Sequence, residues 1–126
     1  MPIFEFAMKI RISGNSVRFR LSQKEVDQIG SGQEVREVTS FATSDFSYVL
    51  GIHDEEDLIK SDFENGRLSV SINRQHAASW ANSDQVGIDN DQHDKLFVLV
   101  EKDFQCLTVR ANEDESDLFP NPNTAC

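Results

Sequence analysis

A chain of 126 residues with 38% hydrophobic content, six glycines and three prolines has the size and composition of one globular domain, and no run in it is long and apolar enough for a membrane-spanning helix. A net charge of -10 disfavours nucleic acid and anionic membrane as partners of the whole molecule. Two cysteines, Cys106 and Cys126, without histidines at matching spacing, exclude a zinc framework; they read as the two thiols of a cytosolic protein, with a bridge tethering the last twenty residues as the alternative.

Met1-Pro-Ile-Phe-Glu-Phe-Ala7 carries an acid where an export signal carries positive charge, so a cytoplasmic location is expected. Met8 to Ser13 alternates strictly, Gly14-Asn15 is a two-residue turn, and Ser16 to Leu21 alternates again, which predicts a hairpin. Ser22-Gln-Lys-Glu25 is a capping box, Leu21 and Val26 stand as a hydrophobic staple, and Gly30 supplies a stop, so a short helix is expected over Gln23 to Ile29. Glu34 to Phe41 and Phe46 to Ile52 then read as strands joined by Thr43-Ser44-Asp45. The acidic run His53 to Asp57 reads as a solvated connection.

Beyond that run the pattern restarts. Leu58 to Glu64 and Arg67 to Ile72 flank Asn65-Gly66, the strongest short hairpin signal, and Asn73 can cap a helix running through Ala77, Ala78 and Trp80. Gln85 to Asp89 and Leu96 to Val100 complete the unit as strands, the latter apolar at successive positions and therefore expected to be covered on both faces. Laid over each other at an offset of 51 positions, the halves match in role: Met8 with Ile59, Ile12 with Phe63, Phe19 with Val70, Ser22 with Asn73, Ile29 with Trp80, Val35 with Val86. The fold class is β-rich α+β: about eight mostly antiparallel strands in two ββαββ pseudo-repeats, 8–53 and 58–102, with two short helices. Such a sheet must close into a barrel or pack on something to hide its edges. Residues 1–110 are expected to form the domain and 111–126 an acidic tail with Leu118-Phe119 as an apolar anchor.

Charge is polarised along the chain. The first 36 residues hold six bases and four acids, and the remaining ninety hold six bases and eighteen acids. In the first hairpin, Arg11 falls opposite Arg18 and Lys9 opposite Arg20, so like charges face each other and call for a counter-charge. Lys9, Arg11, Arg18 and Arg20 are therefore the candidate ligand-binding residues, suited to phosphate or carboxylate; the alternative is neutralisation by the chain's own acids, such as Glu5, Glu34, Glu37 or the tail Glu113 to Asp117. In the second copy Asp62, Ser69 and Ser71 stand where the first has Arg11, Arg18 and Arg20. No nucleophile motif, Gly-rich phosphate loop, CxxC pair or HExxH occurs, and Asp89 to Asp94 lacks the glycine and final glutamate of a calcium loop, so no metal or cofactor is expected.

Glu5-Phe-Ala-Met-Lys9 followed by Arg18 and Arg20 resembles the first hairpin of triphosphate-tunnel (CYTH-like) enzymes, with Ala7 in place of the second metal-binding glutamate; the resemblance implies a wide barrel lined by bases and a phosphohydrolase activity. Arg67 to Asn73, the helix after it and Asp84 to Ile88 resemble AbrB-like DNA-binding modules, but this stretch lacks their basic face. Met8 to Ser22, Trp80 to Asp84, Glu101 to Leu107 and the Glu-Asp-Glu-Ser-Asp-Leu-Phe-Pro-Asn-Pro tail resemble a small family of uncharacterised bacterial proteins over nearly the full chain, which implies that the tail belongs with the domain. The expected function is a non-enzymatic binding domain whose hairpin cations hold a phosphorylated small molecule or an acidic protein segment; a triphosphate-tunnel-like enzyme and an interaction module using the tail are the alternatives.

Overall fold

In the computed structural model of the chain, which describes residues 7–90 and 95–104, the first alternating segment forms strand β1 (Lys9–Ser13) and the second β2 (Ser16–Leu21). Of the two turn residues only Gly14 has positive φ, at 55°, the backbone sign of a II′-type hairpin turn. Helix α1 (Gln23–Gly30) starts on the expected capping box: the Ser22 hydroxyl accepts from the Glu25 N–H and the Glu25 carboxylate accepts from the Ser22 N–H at 2.9 Å.

The helix ends differently from expectation. Gly30 is its last helical residue, and the left-handed position is Gly32, with φ 93°. The Gly32 N–H donates to the Ile29 carbonyl and the Gln33 N–H to that of Gln28, the paired bonds of a Schellman cap. Gly30 serves packing instead. A Cβ there would lie 2.5 Å from the Cβ of Ala81, at the end of helix α2 (Arg74–Ala81), so the missing side chain lets the two helices meet. Gly30→Ala is expected to cost about 1–3 kcal/mol by overpacking. Adding Ala81→Gly should recover much of that loss, and urea melts of the two single variants and the double variant check the coupling.

The remaining strands are β3 (Val35–Ser40), β4 (Asp45–His53), β5 (Ile59–Glu64), β6 (Arg67–Asn73), β7 (Gly87–Asp89) and β8 (Phe97–Lys102). Asn65 and Gly66 both have positive φ, 53° and 76°, as the I′ turn between β5 and β6 requires. The side chain of Asn73 caps α2 by accepting from the Gln75 and His76 N–H groups.

Eight strands form two four-stranded mixed sheets, in the orders β1-β2-β8-β7 and β3-β4-β6-β5, rather than a closed barrel. Four of the six ladders are antiparallel, but the two central ones, β2 with β8 and β4 with β6, are parallel and join opposite halves of the chain. Each hairpin thus completes the sheet begun by the other half. An eight-residue helix is about 12 Å long, comparable to the ~10 Å between packed sheets, and α1 touches both β2 of one sheet and β3 and β4 of the other.

The two sheets are similar units. Val26 and Ile29 correspond to Ala77 and Trp80 as expected, all buried. After the helices the register changes: Val35 pairs with Leu50 as Ile88 pairs with Val100, so the partner of Val35 is Ile88 and not Val86, which is half exposed. Ile12 and Phe63 match, but both are exposed near their turns and neither is core. One apolar cluster, including Phe19, Leu50, Ile72, Trp80, Val98 and Val100, draws on both halves, and the Phe19 and Tyr48 rings meet across the sheets at 6.1 Å. Strand β8 buries Val98 and Val100 on its core face, whereas Phe97 and Leu99 on its other face are only partly buried. Residues 105–126, which include both cysteines and the whole acidic tail, lie outside the described residues.

Candidate functional site

Lys9, Arg11, Arg18 and Arg20 alternate with Ile10, Val17, Phe19 and Leu21, which belong to or pack on the core. The four cations therefore share the outer face of the first sheet, away from the core, and not a tunnel lined by bases. Their register is as expected, Lys9 opposite Arg20 and Arg11 opposite Arg18. What lies beside them is not. The parallel β8 places Glu101 next to Arg20 and Leu99 next to Arg18. The Arg20 Nε donates to Glu101 Oε1 at 2.8 Å, Arg18 Nε stands 3.8 Å from that same oxygen, and Lys9 Nζ donates to Asp103 at 2.8 Å.

The counter-charges are thus Glu101 and Asp103, which the sequence reading did not name. Among the acids it did name, Glu34 pairs with Arg36 at 3.0 Å, Glu37 lies near Glu25 and Tyr48 on the inside, and Glu5 and Glu113 to Asp117 fall outside the described residues. Among the described residues, two carboxylates face four cations and pair with three of them. Arg18 has only the longer contact to a carboxylate already engaged by Arg20, and Arg11 has no ion pair among the described residues.

The equivalent face of the second sheet has a different surface. Across its strands one row reads Lys60, Ser71, Gly51, with Glu34 beside Gly51 just before β3, and the next reads Asp62, Ser69, Val49, Arg36. Gly51 and Ser71 occupy the places of Glu101 and Arg20, so nothing large fills the middle, and a shallow groove of about 480 Å³ opens there. Its rim is charged, with Glu34 and Arg36 on the β3 side and Lys60 and Asp62 on the β5 side. Lys60 is paired with Glu55, whereas Asp62 and Arg67 have no ion pair among the described residues. The acidic connection after β4 works as a clamp: Asp54 accepts from Arg74 and Glu55 from Lys60, and both carboxyls are held below their ordinary range chiefly by these hydrogen bonds.

Among the described residues one carboxylate is buried. Glu25, 6% exposed, lies between α1 and the sheets, near Glu37 and near Tyr48, whose hydroxyl donates to the Met8 carbonyl at 2.8 Å. Burial raises the Glu25 carboxyl above its ordinary range, and Glu37 adds to the rise against the lowering hydrogen bonds from Ser22. A carboxyl raised on folding contributes stability at and below its unfolded value, and that contribution is lost as pH rises through the folded value. Thermal melts between pH 4.5 and 8 are therefore expected to show a Glu25 contribution that weakens towards pH 8. Glu25→Gln keeps the capping box and should flatten that dependence; an unchanged pH profile in the variant would exclude Glu25 as its source.

His53 ends β4, its Nδ1 accepting from the Glu55 N–H, and its Nε2 is buried without a hydrogen-bond partner among the described residues. No group of three or more His, Cys, Asp or Glu side chains among the described residues could hold a metal ion, and residues 91–94 of the calcium-loop-like stretch are not described. No described helix is long and apolar enough to cross a membrane.

A family model described as "Family of unknown function (DUF7009)" matches residues 8–123. No curated protein and no solved structure matches the sequence.

Proposed function

The chain belongs to the DUF7009 family, and from the outer face of its first sheet we propose that it is a binding domain for a small phosphate-bearing ligand, held between Arg11 and Arg18. The observation that supports this reading is the unequal pairing on that face. Arg11 and Arg18 are directly opposite each other, where like charges repel, while the nearest carboxylate, Glu101, is already bonded to Arg20. A phosphate lying across the two guanidiniums would relieve that repulsion and accept hydrogen bonds from both planar forks. Arg20 and Lys9, bonded to Glu101 and Asp103, would frame the site and limit its size.

Binding at so open a face is expected to weaken as salt rises. A thermal-shift panel of inorganic phosphate, tripolyphosphate, sugar phosphates and nucleotides should raise the melting temperature of the wild-type protein. The same compounds should leave Arg11→Ala/Arg18→Ala unmoved. An absence of shift across the whole panel, or equal shifts in the variant, would overturn the proposal.

A further inference from the structure

The groove on the second sheet has a charge pattern of its own. Along the row Asp62, Ser69, Val49, Arg36 a carboxylate stands at one end and a guanidinium at the other, with a hydroxyl and a short apolar side chain between them. In the neighbouring row the polarity is reversed, Lys60 lying on the Asp62 side and Glu34 on the Arg36 side. We infer that this groove binds a short extended peptide with free termini, its ammonium at Asp62 and its carboxylate at Arg36.

Length selects the ligand. Four strands span about 14 Å between the outer two, and the Asp62 and Arg36 side chains line the groove at its two ends. A free amino acid separates its charges by only about 3 Å, too little to touch both, whereas two or three extended residues at about 3.4 Å each cover what remains. Asp62 has no ion pair among the described residues, so its carboxylate is available to an ammonium. Arg36 is bonded to Glu34 through one terminal nitrogen, which leaves the rest of its fork for a carboxylate. A peptide turned round within this row, or slid across by one row without turning, would meet like charges, and one that did both would need Lys60, which is already bonded to Glu55. The Ser69 and Ser71 hydroxyls, on the floor, can donate to or accept from the peptide amides.

The groove lies on the other sheet from Arg11 and Arg18, so the two proposals fail separately. Triglycine titrated into isotopically labelled full-length protein should shift the backbone amide resonances of Val49 and Ser69 saturably. Acetyl-triglycine and triglycine amide, each missing one terminal charge, should bind about two- to fivefold more weakly, as expected for loss of one partly exposed ion pair. Asp62→Asn should lose the advantage of triglycine over acetyl-triglycine, and Arg36→Gln its advantage over triglycine amide; both side chains are at the surface and neither change should alter the rest of the spectrum. No saturable shift, capped peptides binding as well as triglycine, shifts centred on Arg18, or variants that keep both preferences would each overturn the inference.

Discussion

Cutting the chain within the acidic connection, between Asp54 and Asp57, is expected to yield two fragments that fold together and not apart. The first fragment would keep β1 to β4 and α1, but β2 would lose β8 and β4 would lose β6, the central ladder of each sheet. What remains is a pair of two-stranded hairpins, and isolated hairpins are marginal at best in water. The core is divided as well: Phe19 and Leu50 would leave with one fragment, Ile72, Trp80, Val98 and Val100 with the other. By contrast, the bonds at the cut itself, Asp54 to Arg74 and Glu55 to Lys60, lie at the exposed surface, where such pairs contribute little. Each fragment alone should give a narrow, unfolded amide spectrum, and an equimolar mixture should restore the spectrum of the intact chain. Because the two halves share a scaffold, sedimentation should accompany the spectra: a folded dimer of one fragment would still be an exchange of hairpins, but a folded monomer of either would overturn the intertwined topology.

Trp80→Ala is the single substitution expected to do most damage. The indole is fully buried in the shared core, its Nε1 donates to the Val86 carbonyl at 3.0 Å, and the Lys102 ammonium stands 5.9 Å from its ring centroid. Truncating a buried aromatic of this size costs about 3–5 kcal/mol, a large part of the ~5–15 kcal/mol that holds a domain together. Trp80→Phe separates the contributions, since it keeps a ring in the core and removes only the indole donor, while the Val86 carbonyl still accepts from the Lys102 N–H at 3.0 Å; the bond itself should account for about 0.5–1.5 kcal/mol, well below the cost of Trp80→Ala. Urea unfolding followed by circular dichroism checks both, because the protein has only this tryptophan and its emission disappears in the variants. A loss under about 1 kcal/mol for Trp80→Ala would mean that the helix pair is not tied to the core in the way described.

Local signals were legible residue by residue. Gly14-Asn15 and Asn65-Gly66 make their turns, Ser22 with Glu25 and Asn73 cap their helices, and the hairpin register that sets Arg11 against Arg18 follows from turn length alone. The role of Gly30 was not legible, because the atom that excludes a side chain there belongs to Ala81 on the other helix. Glu101 and Asp103 were missed for the same kind of reason. They follow the apolar run of β8 as ordinary surface acids, and only the parallel ladder to β2 carries them to Arg20 and Lys9. Counting positions also failed after the helices, where connections of unequal length moved the partner of Val35 from Val86 to Ile88.

The sequence by itself therefore determined the elements, their caps, the repeated scaffold and the cations of the first hairpin, since each of these is encoded by neighbours within a few residues. The tertiary structure alone decided that the halves exchange hairpins, that two sheets form in place of a barrel, which acids answer which cations, and that Gly51 and Ser71 open a groove where Glu101 and Arg20 close the matching face. These depend on pairing between strands distant in sequence, and alternation within a strand states which side faces the core but not which strand lies beside it.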